Sequence, residues 1–135
     1  MTEALKAGDK LPEHVQGPIS RATLALFAGA SNDHVLLHID SDFAKQAGMP
    51  DVFAHGMLSM AYLAQMLTRW VPQERLRKWG VRFIAITPIH ATVTCRGEVT
   101  EIFEQDGEKR ARIRIGTWID SETQTLDGEA VVALN

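Results

Sequence analysis

An intrachain disulfide is closed to this chain. Its 135 residues include a single cysteine, Cys95, so no intrachain bridge can form and a reducing compartment, the cytoplasm, is expected. Positive charge is not in excess either. Fourteen Lys and Arg stand against seventeen Asp and Glu, for a net charge of −3, which removes the electrostatic case for a nucleic-acid partner. No apolar run suits a membrane span. The best candidate, residues 55–70, is only sixteen residues long and holds Ser59, Gln65 and Arg69. The opening MTEALKAGDK carries no apolar run of the signal-peptide kind. Internal repeats and low-complexity segments are missing too. What is present is the length and composition of one soluble domain, residues 1–135, with 45% hydrophobic and 23% charged residues.

Residues 55–70, HGMLSMAYLAQMLTRW, organise the rest. They contain no proline, and their one glycine, Gly56, stands at the start. Apolar side chains fall nearly all round the predicted helix, which is the pattern of a helix wrapped by other elements. Upstream, residues 1–10 read as a loose arm. Glu13–Pro18 reads as a weak or edge strand, limited by its prolines. Ser20 caps a helix over Arg21–Ala28 that Gly29 ends. Ser31–Asp40 reads as a loop with extended character, and Ser41 as the cap of a two-turn helix closed by Gly48. Val71-Pro72 ends the long helix, and Gln73–Lys78 is a basic connector.

From Trp79 the apolar period changes from 3.6 to 2. Val81, Phe83 and Ala85 alternate with Arg82, Ile84 and Ile86. Val93, Cys95, Gly97 and Val99 form a second alternating set, and Ala111, Ile113 and Ile115 a third. Asp106-Gly107 marks a hairpin, Ser121–Gln124 another turn, and Leu126–Leu134 a last strand. The fold class is α+β: a long central helix wrapped by a curved antiparallel sheet.

Asp33 and His38 stand five residues apart, just ahead of that helix. A carboxylate and an imidazole meeting at one point hold a water and move its protons. The same residues also serve as a turn-capping aspartate and a satisfied loop histidine. Gly56, at a helix start, leaves its N–H open to hold a thioester carbonyl oxygen as it gains charge. Equally, it would let the chain turn sharply into the helix. His34 and His38, with Asp33 and Asp40 nearby, offer metal-ligand types without the helical register of a metal motif, so no metal is expected. Cys95 reads as a buried hydrophobe, and His90 as a surface strand residue.

Phe27–Asp33, His38-Ile39-Asp40 with Phe43-Ala44, and Ala54-His55-Gly56-Met57-Leu58 together resemble the signature of the MaoC-like hot-dog dehydratases. That family includes the (R)-specific enoyl-CoA hydratases. Val81-Arg82-Phe83, Pro88-Ile89 and Gly128–Val132 are similar to its later strands. The resemblance implies a hot-dog fold and 2-enoyl thioester chemistry without a cofactor. It also implies a homodimer, or a heterodimer with a related subunit. Asp33 and His38 would be the catalytic pair and the Gly56 N–H the carbonyl donor. Which of the pair is base and which is acid stays open.

Three departures stand out. Asn32 replaces a glycine and tolerates the positive φ a glycine would take. Val35-Leu36 replaces an Asn-Pro pair, and His90-Ala91 a Gly-Asp. His55 and Ser59 are placed as substrate contacts, though helix packing explains Ser59 as well. Arg75, Arg77 and Lys78 would meet the phosphates of coenzyme A or an acidic carrier protein, or form a solvated connector. Two rivals remain. A hot-dog thioesterase is disfavoured because residues 55–70 hold no Asp or Glu. A non-catalytic or partner-dependent dehydratase subunit is kept open by Val35-Leu36.

Overall fold

A computed structural model supplies the structure, which describes residues 4–134. The chain runs β1 (His14–Gln16), α1 (Arg21–Ser31), α2 (Leu36–Ile39), α3 (Ser41–Gln46), α4 (Gly56–Trp70), a 3-10 turn at Gln73–Arg75, then β2 (Leu76–Phe83), β3 (Val93–Gln105), β4 (Glu108–Trp118) and β5 (Gln124–Ala133). The strands form one sheet in the order β1-β3-β4-β5-β2, with every neighbouring pair antiparallel. The short β1 and the longer β2 are its edges.

Period-2 alternation builds the inner face of the sheet. Val93, Cys95, Val99, Ile113, Ile115, Leu126, Ala130 and Val132 are all buried there. Helix α4 lies across β1, β3 and β4 and seats Leu58, Leu63, Met66 and Leu67 among those side chains. Each buried leucine contributes about 2 kcal/mol. Asp106 and Gly107 both take positive φ, 54° and 76°, as a tight two-residue hairpin requires.

Several boundaries differ from the sequence reading. From Gly8 the N-terminal arm is tied to the edge of β3, through Gly8 N–H to the Val99 carbonyl at 2.7 Å and Leu11 N–H to the Gly97 carbonyl at 2.9 Å. Helix α1 runs through Gly29 to Ser31 and ends on Asn32, which takes the left-handed conformation with φ 57°. Within the expected loop, Leu36–Ile39 forms a single helical turn. Asp40, not Ser41, caps α3 by accepting from the Phe43 N–H. The basic connector is a 3-10 turn followed directly by β2, so Arg77 and Lys78 are strand residues. His90 sits in a turn at φ 69°. Only one side of α4 is sealed: Met57 is 54% exposed, and Met60, Ala61 and Ala64 are also accessible to solvent.

Candidate active site

Each site residue is placed by a local device. The left-handed turn at Asn32 redirects the chain, and the Asp33 N–H bonds back to the Ala28 carbonyl at 3.1 Å. The Asp33 carboxylate then accepts a long 3.4 Å bond from the Val35 N–H. The turn of α2 carries His38, whose Nδ1 lies 2.7 Å from the Phe53 carbonyl. That carbonyl can only accept, so Nδ1 bears the proton and Nε2 is left as a free acceptor. Phe53 is held by the strap leading into α4. Asp51 anchors this strap by accepting from the Ser41 hydroxyl at 2.8 Å and the Val52 N–H at 2.7 Å. The neighbouring Ala54 N–H bonds the Thr87 carbonyl at 2.9 Å.

These devices bring Asp33, His38 and His55 together, each offering a polar atom within 4.8 Å of the others. The gap is one that a single water about 2.8 Å from each of two such atoms would span. The His38 and His55 rings stack at 3.9 Å with 26° between their planes. His55 is 1% exposed, and its Nε2 donates to the Asp33 backbone carbonyl at 3.1 Å. Burial pushes its pKa down, against the upward pull of that hydrogen bond.

Gly56 is the first residue of α4, so its N–H has no intrahelical partner. Its φ is not positive, so a sharp turn is not why glycine stands here. The reason is the Phe83 ring: a Cβ on Gly56 would lie 2.7 Å from Phe83 Cδ1. Two clefts meet at Met57. One, of about 290 Å³, is lined by His38, Gly56, Phe83, Ile86 and Thr87. The other, of about 350 Å³, runs from Asp33 along Met60, Ala61 and Ala64 to Trp79. The imidazole of His38 and the unpartnered Gly56 amide therefore line one apolar cleft and the Asp33 carboxylate the other, with Met57 between them.

A family model described as "MaoC like domain" matches residues 4–120. The chain is a MaoC-like domain protein. Its solved relatives share the hot-dog architecture. R-Hydratase PhaJ1 from Pseudomonas aeruginosa superposes with a TM-score of 0.83 at 26% identity, covering 96% of this chain and 82% of that one. The 3-hydroxyacyl-thioester dehydratase Z of Mycobacterium tuberculosis is 24% identical over 125 residues, 88% of this chain and 82% of its own length. Nodulation protein N of Rhizobium meliloti is 32% identical over 66 residues, which are 48% of this chain and 41% of that protein.

This MaoC-like domain does not gather every residue the sequence offered. Asp33, His38, His55 and Gly56 come together. Ser59 is sealed at 0% exposure with its hydroxyl unpartnered, and it faces neither cleft. Arg75, Arg77 and Lys78 lie past the far end of α4, about 20 Å from Gly56 at 1.5 Å per residue. There Arg75 donates to the Leu134 carbonyl at 3.4 Å, and Arg77 grips Glu108 at 2.9 and 2.8 Å. His34 is exposed and stands outside the trio. Phe83, Met57 and Phe53 were missed as site residues. A hint for Phe83 was present, because an aromatic ending a strand beside a glycine-led helix has only that helix start to cover.

Proposed function

We infer that this protein is a hydro-lyase that adds water reversibly across the C2–C3 double bond of 2-enoyl thioesters, giving (R)-3-hydroxyacyl thioesters. The observation that carries the reading is the meeting of Asp33 and His38 within bridging distance of one water, with His38 and the Gly56 amide in one cleft. In hydration, Asp33 orients the water and His38 Nε2, the free acceptor, takes its proton as oxygen bonds to C3. The Gly56 N–H, at the positive end of the α4 dipole, holds the thioester oxygen as it becomes enolate-like. The His38 imidazolium then returns the proton to C2, so atoms and charge balance and both residues end as they began. No redox step is involved.

The acyl chain, carried on coenzyme A or a carrier protein, lies in the apolar cleft beside α4. A second copy of the chain is the partner that best suits the surface. Met57, Phe83 and Ile86 line the cleft of His38 and are each about half exposed, next to the free edge of β2. Contiguous apolar surface of this kind marks an interface. The buried, unbridged Cys95 suits the cytoplasm, and no described helix is long and apolar enough to cross a membrane.

The test is loss of the enoyl-thioester absorbance on adding the purified protein, over a series of acyl lengths. Turnover with an (R)-3-hydroxyacyl product is expected. Release of free coenzyme A in its place would favour a thioesterase, although α4 offers no carboxylate for that chemistry. Turnover only on adding a related subunit would favour a heteromeric enzyme.

A further inference from the structure

His55 is the one member of the trio that lines neither cleft. It is buried like a core residue, yet a leucine or phenylalanine would fill its place without desolvating an imidazole. Its Nδ1 has no hydrogen-bond partner, and a buried unpaired acceptor is costly to keep. Two contacts account for retaining the imidazole. The Nε2–H donates to the Asp33 carbonyl at 3.1 Å. Among the described residues, that bond is the link between the Asp33 turn and the start of α4. The ring face lies against His38 at 3.9 Å. The edge-on contact with Phe27, at 5.0 Å and 68°, stops the ring from turning away.

We propose that His55 is a positioning residue for hydration: one buried ring sets the separation of the water-handling groups by tethering the Asp33 backbone and backing the His38 imidazole. This rests on the reading of Asp33 and His38 given above. Asp33 needs such a tether because, among the described residues, its own carboxylate is held only by the long bond from Val35. A misplacement on the order of 1 Å at a reacting group costs up to about a hundredfold in rate. Burial also disfavours the charged form of His55, which lessens its repulsion of the imidazolium formed when His38 takes the proton from water.

Two substitutions in the full chain separate the tether from simple packing, with crotonyl-CoA hydration followed under steady-state conditions. His55→Phe keeps a ring and removes the donor. His55→Gln keeps a donor that reaches the same carbonyl. The expected result is a kcat at least about tenfold lower for H55F with KM within about threefold, and kcat for H55Q within about threefold of wild type. Where H55F does not fold, His55→Met fills the space without a donor and takes its place. A donor-free variant with wild-type kcat would overturn the proposal, and so would an H55Q no better than it. A wild-type protein inactive on every enoyl thioester would instead remove the reading on which the proposal stands.

Discussion

Replacing Gly56 by alanine tests the geometry of the cleft with a single methyl group. The new Cβ would stand 2.7 Å from Phe83 Cδ1 and 2.8 Å from Cε1, against a normal carbon contact of about 3.5–4.0 Å. The ring must therefore retreat by about 1 Å. Phe83 is the last residue of β2 and 53% exposed, so it yields by rotation, at a cost of about 0.5–1.5 kcal/mol for an off-rotamer side chain. Alanine returns up to about 0.8 kcal/mol of helix propensity over glycine. Stability should barely change, with an unfolding midpoint within about 4 °C of wild type. Activity should fall, because the displaced ring narrows the space shared with His38 and the approach to the Gly56 N–H. Complete loss of such a donor costs about 10²–10³, so partial obstruction predicts about a ten- to hundredfold drop in kcat/KM. Adding Phe83→Ala should bring G56A back to within about threefold of the Phe83→Ala single variant, since the two residues share one contact. Calorimetry and crotonyl-CoA kinetics on the four proteins complete the cycle. Unchanged kcat/KM in G56A, or a double variant as impaired as G56A, would refute the reasoning.

Two further outcomes follow from groups outside the cleft. Asp51 is held down to about 2 by the Ser41 hydroxyl, the Val52 N–H and Arg21, and Glu108 to about 2 by Arg77 and Arg110. Both carboxyl groups titrate lower folded than unfolded, so their stabilisation is complete above about pH 4.5 and is lost as pH falls toward about 2. Urea midpoints should decline across that window, and Asp51→Asn or Glu108→Gln should each flatten the decline; curves parallel to wild type would contradict this. Cys95 is fully buried, which pushes its thiol up to about 12 from 9.0, so at a given pH it holds about a thousandfold less thiolate. A disulfide reagent should therefore label the native protein at least about a thousandfold more slowly than the urea-unfolded one. Labelling rates within about tenfold of each other would contradict the burial.

The sequence made the frame of this molecule readable where a period or a turn dipeptide was strong. The apolar run of α4, the alternation through Val93–Val99 and Ala111–Ile115, and the Asp106-Gly107 hairpin all carry local signals that tertiary packing reinforces. Single-turn elements were another matter. Leu36–Ile39 has no side-chain cap, and its helical turn is held by the His38 bond to Phe53, fifteen residues on. Asp40 and Ser41 are both good caps. Asp40 takes the role by accepting from the Phe43 N–H, while the Ser41 hydroxyl donates to Asp51, a contact no local reading reveals. Period 2 also set Phe83 in step with Val81 and Ala85, but β2 ends at Phe83 and its ring lies against Gly56. Asp33 and His38 were legible as residue types at a spacing. Their approach, and the ring of His55 behind them, depend on three chain segments meeting.

The central claim is that Asp33 orients one water and His38 takes its proton. Its most direct measurement is the kcat for crotonyl-CoA hydration by wild type, Asp33→Asn and His38→Ala, each verified as folded by its unfolding midpoint. The account predicts a wild-type protein that turns over and two variants slower by about a hundredfold or more. Folded variants that both hydrate at near wild-type rates would contradict it.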